Sequence, residues 1–164
     1  MLETERLLLR KFTLDDAEEY FQLNANADVV RYTGQAPFTS VDEAVAVLKS
    51  APLRDYQIHG FGRLACINKR SGRLIGFCGL KYLAELDEID IGYRFLPEFW
   101  GRGLATESSL PVMEYGRNVL GLKRIIGLVE PDNIGSVNVL KKLGLAFERK
   151  VSLDPAETEM DLYA

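Results

Sequence analysis

The spacing of apolar positions changes several times along this chain, and each change marks an element. Residues 6–12, RLLLRKF, form a short leucine-rich run that predicts a strand, and Thr13-Leu-Asp-Asp16 then predicts a helix over about residues 15–24 capped by Thr13. Ser40-Val-Asp-Glu43 has the form of a capping box. Val41, Ala44, Val45 and Leu48 recur behind it at helical spacing, so a second helix follows, which Pro52 ends or bends. Residues 61–68 and 73–80 flank Lys69-Arg-Ser-Gly72, where glycine supplies the left-handed residue of a hairpin. In residues 88–96, Ile89, Ile91, Tyr93 and Phe95 share one face of a strand, and Glu88, Asp90, Gly92 and Arg94 share the other. A helix over 104–120 ended by Gly121, a strand over 124–129, a helix over 133–143 closed by Gly144, and strands near 145–153 and 158–163 complete the pattern. Pro111 falls inside the first of these helices, where loss of a backbone hydrogen bond costs about 3 kcal/mol unless packing offsets it.

Composition narrows the class without changing this order. With 164 residues, 47% of them apolar and 27% charged, the chain fits one soluble domain that buries roughly two thirds of its unfolded surface. No apolar run approaches a membrane span, and the charges interleaved in MLETERLLLRKF are unlike a secretion signal, so a cytoplasmic protein without a membrane partner is expected. The net charge of −4 and the lack of a basic cluster argue against nucleic acid. Cys66 and Cys78 fall on neighbouring strands but not opposite each other, which predicts two free buried thiols. One histidine, His59, and no zinc-type spacing predict no metal site.

The chemistry concentrates where the strand over 88–96 runs into Trp100-Gly-Arg-Gly103 and a helix opens at Leu104. Glycines there let the backbone approach a ligand, and the unpaired N–H groups of the helix start favour an anion such as a phosphate. A lone Gly-x-Gly is a weak signal. Here it is joined by Asn133-x-x-Ser136 and Leu140-x-Lys-Leu-Gly144 some thirty residues on, in the segment VEPDNIGSVNVLKKLGL.

The element order, the run IGYRFLPEFWGRGLATE, the segment just quoted and the opening TERLLLRKFTLDDAEEY together resemble the GNAT superfamily of acyl-CoA-dependent N-acyltransferases. The loop and the opening are also similar to the branch containing the ribosomal-protein N-terminal alanine and serine acetyltransferases. The resemblance implies an α/β (α+β) GNAT fold: a mixed, mostly antiparallel sheet of about seven strands with about four helices on both faces. It implies acetyl-CoA as co-substrate, an amine acceptor and a monomer or homodimer. By the same resemblance, Gly101, Arg102, Gly103, Leu104, Ala105 and Thr106 hold the pyrophosphate, and the pantetheine arm lies on the strand near Phe95 and Leu96. Asn133 caps a helix and touches the cofactor, and Ser136 and Asn138 reach the pantetheine. Trp100 departs from the usual Gln or Arg at the head of the loop, and Leu140 stands where many relatives carry a proton-donating tyrosine.

An amine must lose a proton before it attacks a thioester, and a carboxylate is a natural base. Asp90 is the first candidate and Glu88, two residues away on the same face, the second; both would form an acidic floor for a cationic acceptor. The resemblance to the ribosomal branch implies Ser136 as proton donor to the leaving thiolate, whose ordinary pKa near 8.5 would also let water suffice. Tyr32 lies on the loop over 28–38 expected to wall the acceptor pocket. Three readings follow: an acetyltransferase working through a ternary complex, a CoA-binding regulatory module with weak or no catalysis, and another nucleotide-binding α/β domain. The last lacks G-x-G-x-x-G and a P-loop.

Overall fold

Leu7 and Leu9 bury one face of the first long strand while Leu8 packs toward the other, and the rest of the sheet is laid against this strand in chain order. A computed structural model describes residues 1–164. Strands β1 (Leu2–Glu3), β2 (Leu7–Lys11), β3 (Arg63–Asn68), β4 (Leu74–Leu83) and β5 (Glu88–Phe95) form a five-stranded antiparallel sheet, each next to the one before. Strands β6 (Gly127–Val129), β7 (Phe147–Val151) and β8 (Met160–Tyr163) form a second antiparallel sheet in the order β6-β8-β7. The two meet at one parallel bridge, Asp90 to Ile126. Ile91 N–H donates to the Ile126 carbonyl at 2.8 Å, and Ile126 N–H donates to that of Ile89 at 2.9 Å.

Helices α1 (Ala17–Ala25), α2 (Ala27–Val30) and α3 (Val41–Ser50) enclose one core with Phe12, Leu74 and Phe77. Helices α5 (Leu104–Asn118) and α6 (Ile134–Lys142) cover the other face, over Leu7, Leu9, Ile75 and Ile91. The α/β architecture matches expectation with one strand more than anticipated and with additional short helices. Two of those helices were not foreseen. Asn26 caps α2 through its side chain in a segment expected to be loop, and Pro52, which follows the end of α3 at Ser50 as expected, also begins α4 (Pro52–His59). Proline at a first helical position loses nothing, because that N–H has no helical partner anyway. The strand expected from 124 begins only at Gly127, and α5 continues through Pro111. Cys66 and Cys78 are free and buried on β3 and β4. No helix is long and apolar enough to cross a membrane.

Leu140 explains why its position holds no tyrosine. It is 1% exposed and joins the large core, with its side-chain carbons packed against the backbone at Gly127 of β6. Leu140→Ala should lower unfolding free energy by about 2–5 kcal/mol, read as a reduced denaturant midpoint at unchanged slope.

Candidate active site

The bridge at Asp90 fixes the site because β5 and β6 stay paired only there. Ile89 and Ile91 turn their backbone groups toward β6, so by strand alternation Tyr93 and Phe95 turn theirs the same way, past the point where β6 has left. The result is an open strand edge inside a cleft of about 1070 Å³. Of the two strand residues expected to serve a ligand, Phe95 lines this cleft, although its carbonyl accepts from the Trp100 indole N–H at 2.7 Å. Leu96 does not line it, and its N–H is already bonded to the Ile75 carbonyl at 2.9 Å. Tyr93 therefore replaces Leu96 on the available edge.

The glycine loop closes one end. Gly101 and Gly103 have φ of +72° and +78°, and Gly103 is the N-cap of α5 with no side chain capping the helix. The N–H groups of the first turn, from Leu104, Ala105 and Thr106, have no helical acceptor and face the cleft with Gly101 and Gly103. Arg102 does not join them: its guanidinium lies over the Phe99 ring at 5.6 Å. The loop is braced from the N-terminal segment, where Arg6 donates to the Arg102 carbonyl at 2.9 Å and pairs with Glu107 at 2.9 Å. Burial pushes the Glu107 carboxyl up, but hydrogen bonds from Thr4 and Arg6 outweigh it and hold it below the ordinary glutamate value.

The wall opposite the open edge comes from α6. The Asn133 side chain accepts from Ser136 N–H at 3.3 Å, a helix cap, while Ser136 and Asn138 line the cleft. Ser136 Oγ lies 2.7 Å from the Tyr93 hydroxyl, which bridges from strand to helix across the opening. Burial pushes the Tyr93 hydroxyl pKa up to about 12, so it remains protonated at neutral pH.

Asp90 sits at the apex, 7% exposed, with its Oδ1 accepting from Arg63 at 3.0 Å. Burial raises its carboxyl above the usual aspartate range, and the Arg63 charge and hydrogen bond oppose that shift. Gly92 makes the pair possible, since a Cβ there would fall 2.4 Å from the Arg63 guanidinium. Glu88 is not brought to the same place. Its carboxylate accepts from Arg124 at 2.8 Å, Arg124 also pairs with Glu148, and Glu88 does not line the cleft. The expected acidic floor is thus a set of neutralised pairs, with Lys81 and Asp55 a further one at 3.0 Å. Tyr32 lines the acceptor side under the Arg31 guanidinium, 5.2 Å from the ring. His59 packs on Phe61 and Tyr82, away from the cleft. No cluster of three or more His, Cys, Asp or Glu side chains could hold a metal.

Sequence reasoning did not assign Arg63, Tyr93 or Arg94. Arg94 shares Asp90's face and so was in view by alternation; its partners were not. Nη1 donates to Asn24 Oδ1 at 2.6 Å and to Gln35 Oε1 at 2.9 Å, and the guanidinium lies over the Phe77 ring at 5.2 Å.

Known proteins share this arrangement. Residues 6–146 match the family described as an acetyltransferase (GNAT) domain. The uncharacterized N-acetyltransferase YoaA of Bacillus subtilis is 35% identical over 149 residues, covering 90% of this chain and 84% of the relative. A spermidine N(1)-acetyltransferase of Escherichia coli is 29% identical over 147 residues, covering 85% of this chain and 73% of that enzyme. A crystal structure of a GNAT-family acetyltransferase from Bacillus anthracis superposes with a TM-score of 0.82 at 26% identity, covering 99% of this chain and 95% of that one. With the forked sheet, the glycine loop and a family match over most of its length, this chain belongs to the GNAT acetyltransferases and is an N-acetyltransferase.

Proposed function

We propose that the protein transfers an acetyl group from acetyl-CoA directly to a primary amine, with both substrates bound together. The observation that carries this reading is the open edge of β5, flanked by the free N–H groups of α5 at one end and by Asp90 at the other. Gly101, Gly103 and the first turn of α5 suit a pyrophosphate, and the backbone of Tyr93 and Phe95 suits an extended amide-bearing arm that adds to the sheet as a strand. No side chain in the cleft forms an activated nucleophile–base pair, which favours direct transfer over a covalent enzyme intermediate.

In this reading Asp90 takes a proton from the acceptor ammonium, directly or through water. The freed amine attacks the thioester carbon, the N–C bond forms and the C–S bond breaks. The Tyr93 backbone N–H, unpaired on the open edge, steadies the carbonyl oxygen as charge develops there. Ser136 Oγ–H, hydrogen-bonded to Tyr93, passes its proton to the departing thiolate and regains one through solvent, to which the nitrogen gives its second proton as the amide forms. Arg63 holds Asp90 ionised in a buried place and is a positioning residue. Glu88 has no part in this scheme.

Free CoA release should require both acetyl-CoA and an amine, assayed with free amino acids, polyamines, aminoglycosides and peptides beginning with Ala or Ser. Asp90→Asn and Ser136→Ala should lower kcat by about 10²-fold or more while CoA still raises the melting temperature. Melting shifts without turnover on any acceptor would point to a CoA-binding regulatory module instead.

Gly103→Val should remove the CoA-induced stabilisation, about 2.7 kcal/mol for the parent protein at one hundred times the dissociation constant, because a branched residue resists φ of +78°. Arg63→Gln should move the acid limb of the kcat/KM profile to higher pH by about one unit or more. The sign follows from the charges: Arg63 lowers the Asp90 carboxyl, removing it raises that carboxyl further, and the reaction needs the carboxylate.

A further inference from the structure

The cleft holds one half-buried cation that no carboxylate in the protein neutralises. Arg94 lies four residues beyond Asp90 on the same face of β5, about 13 Å along the strand. No carboxylate pairs with it: Asp90 is taken by Arg63, Asp55 by Lys81 and Glu88 by Arg124. Its two Nη1 hydrogens go to the neutral amide oxygens of Asn24 and Gln35, while Nη2 and Nε donate to nothing in the protein. Burial without a counter-ion pulls its pKa down to about 10, and the neighbouring Arg63 charge acts in the same direction.

A second observation converges on this point. The amide nitrogen of Gln35 is the one buried side-chain polar atom in the protein left without a hydrogen-bond partner. Gln35 and Arg94 both line the cleft. A buried donor left unmet costs free energy that a bound acceptor recovers, and the Arg94 donors that make no bond in the protein open onto the same cleft. Two such groups side by side on the acceptor half of a cleft are half of a binding site. The other charges there do not complete it. Asp28, Arg31, Lys142 and Glu157 are exposed around the rim, and Glu130 follows β6 on the far side of the fork.

We propose that Arg94, with Gln35, binds a carboxylate of the acceptor, so that the amine acetylated here belongs to a molecule that also carries a carboxylate. The proposal rests on the transferase reading above and names its substrate class. Planar guanidinium and carboxylate match in a fork, which fits the two free Arg94 donor positions. A polyamine presents only cations to this wall and would meet Arg94 with like charge. This chain thereby differs in acceptor from the spermidine N(1)-acetyltransferase it resembles.

The test measures kcat/KM by thiol release for free amino acids and short peptides, each against its own carboxamide, with spermidine alongside. The carboxylate form should exceed its amide by about ten- to a hundred-fold. Arg94→Gln should erase that margin through KM while leaving the amide rate and the CoA melting shift in place, and Arg94→Lys should restore part of it. Free amino acids and carboxylate-ending peptides, ranked separately, distinguish the two sources of the anion. Gln35→Glu places a carboxylate beside Arg94, so it should raise the melting temperature and weaken carboxylated acceptors selectively.

Equal or better turnover of amides or spermidine overturns the proposal and leaves the transferase reading standing. So does an Arg94→Gln loss that falls equally on every acceptor, which is the mark of a structural role. Absence of turnover on every acceptor overturns the transferase reading itself.

Discussion

One parallel bridge governs this molecule. At Asp90 and Ile126 the two sheets share a pair of backbone hydrogen bonds, and one residue later they separate. A sheet interior normally hides such an edge, because unpaired N–H and C=O groups cost free energy and invite aggregation. Here the edge faces inward, into the cleft lined by α6 and the glycine loop. The same divergence leaves room for Tyr93 to reach Ser136 and puts Asp90 at the point where both halves of the cleft meet.

The charges around that point follow a different logic from the one suggested by counting carboxylates. Asp90 and Glu88 are both on the polar face of β5, yet each has an arginine of its own, Arg63 from β3 and Arg124 from the segment before β6. Pairing with Arg63 opposes the rise that burial imposes on the Asp90 carboxyl, and it removes that group's attraction for a distant cation. What remains uncompensated on that face is positive, at Arg94. Long-range attraction of an amine by free carboxylates is therefore a weak account of acceptor choice.

Local signals were legible in the sequence where the physics is local. Ser40 caps α3 by accepting from Glu43 N–H at 3.2 Å, and Thr13 and Asp16 form a reciprocal box at the turn leading into α1. Gly103 opens α5 and Asn133 caps α6 as the pattern indicated. What the pattern missed depends on long separation or on a double meaning. Pro52 stops one helix and starts the next with the same restriction on φ, and only the chain that follows decides which role dominates. The Arg63–Asp90 contact spans 27 residues and those of Arg94 span 70 and 59, so no periodicity announces them. The fork is of the same kind: two strands can be read from their own residues, but the residue at which they part is set by the registers of both sheets.

Leu140 and Tyr93 show how a hydroxyl reaches the cleft without loss of packing. In α6, position 140 faces Gly127 and the large core, where a leucine fills the space and a phenol would bury its oxygen among carbons. Tyr93 approaches the same helix from the strand side, and its oxygen ends on Ser136 instead of in the core. One hydroxyl of the pair is thus supplied from β5, whose position is already fixed by eight paired residues of β4 and by the bridge to Ile126. The Tyr93 hydroxyl moves with the open edge itself, so its place beside that edge is set by one rigid element, while the packing of α6 against the sheet brings Ser136 to it.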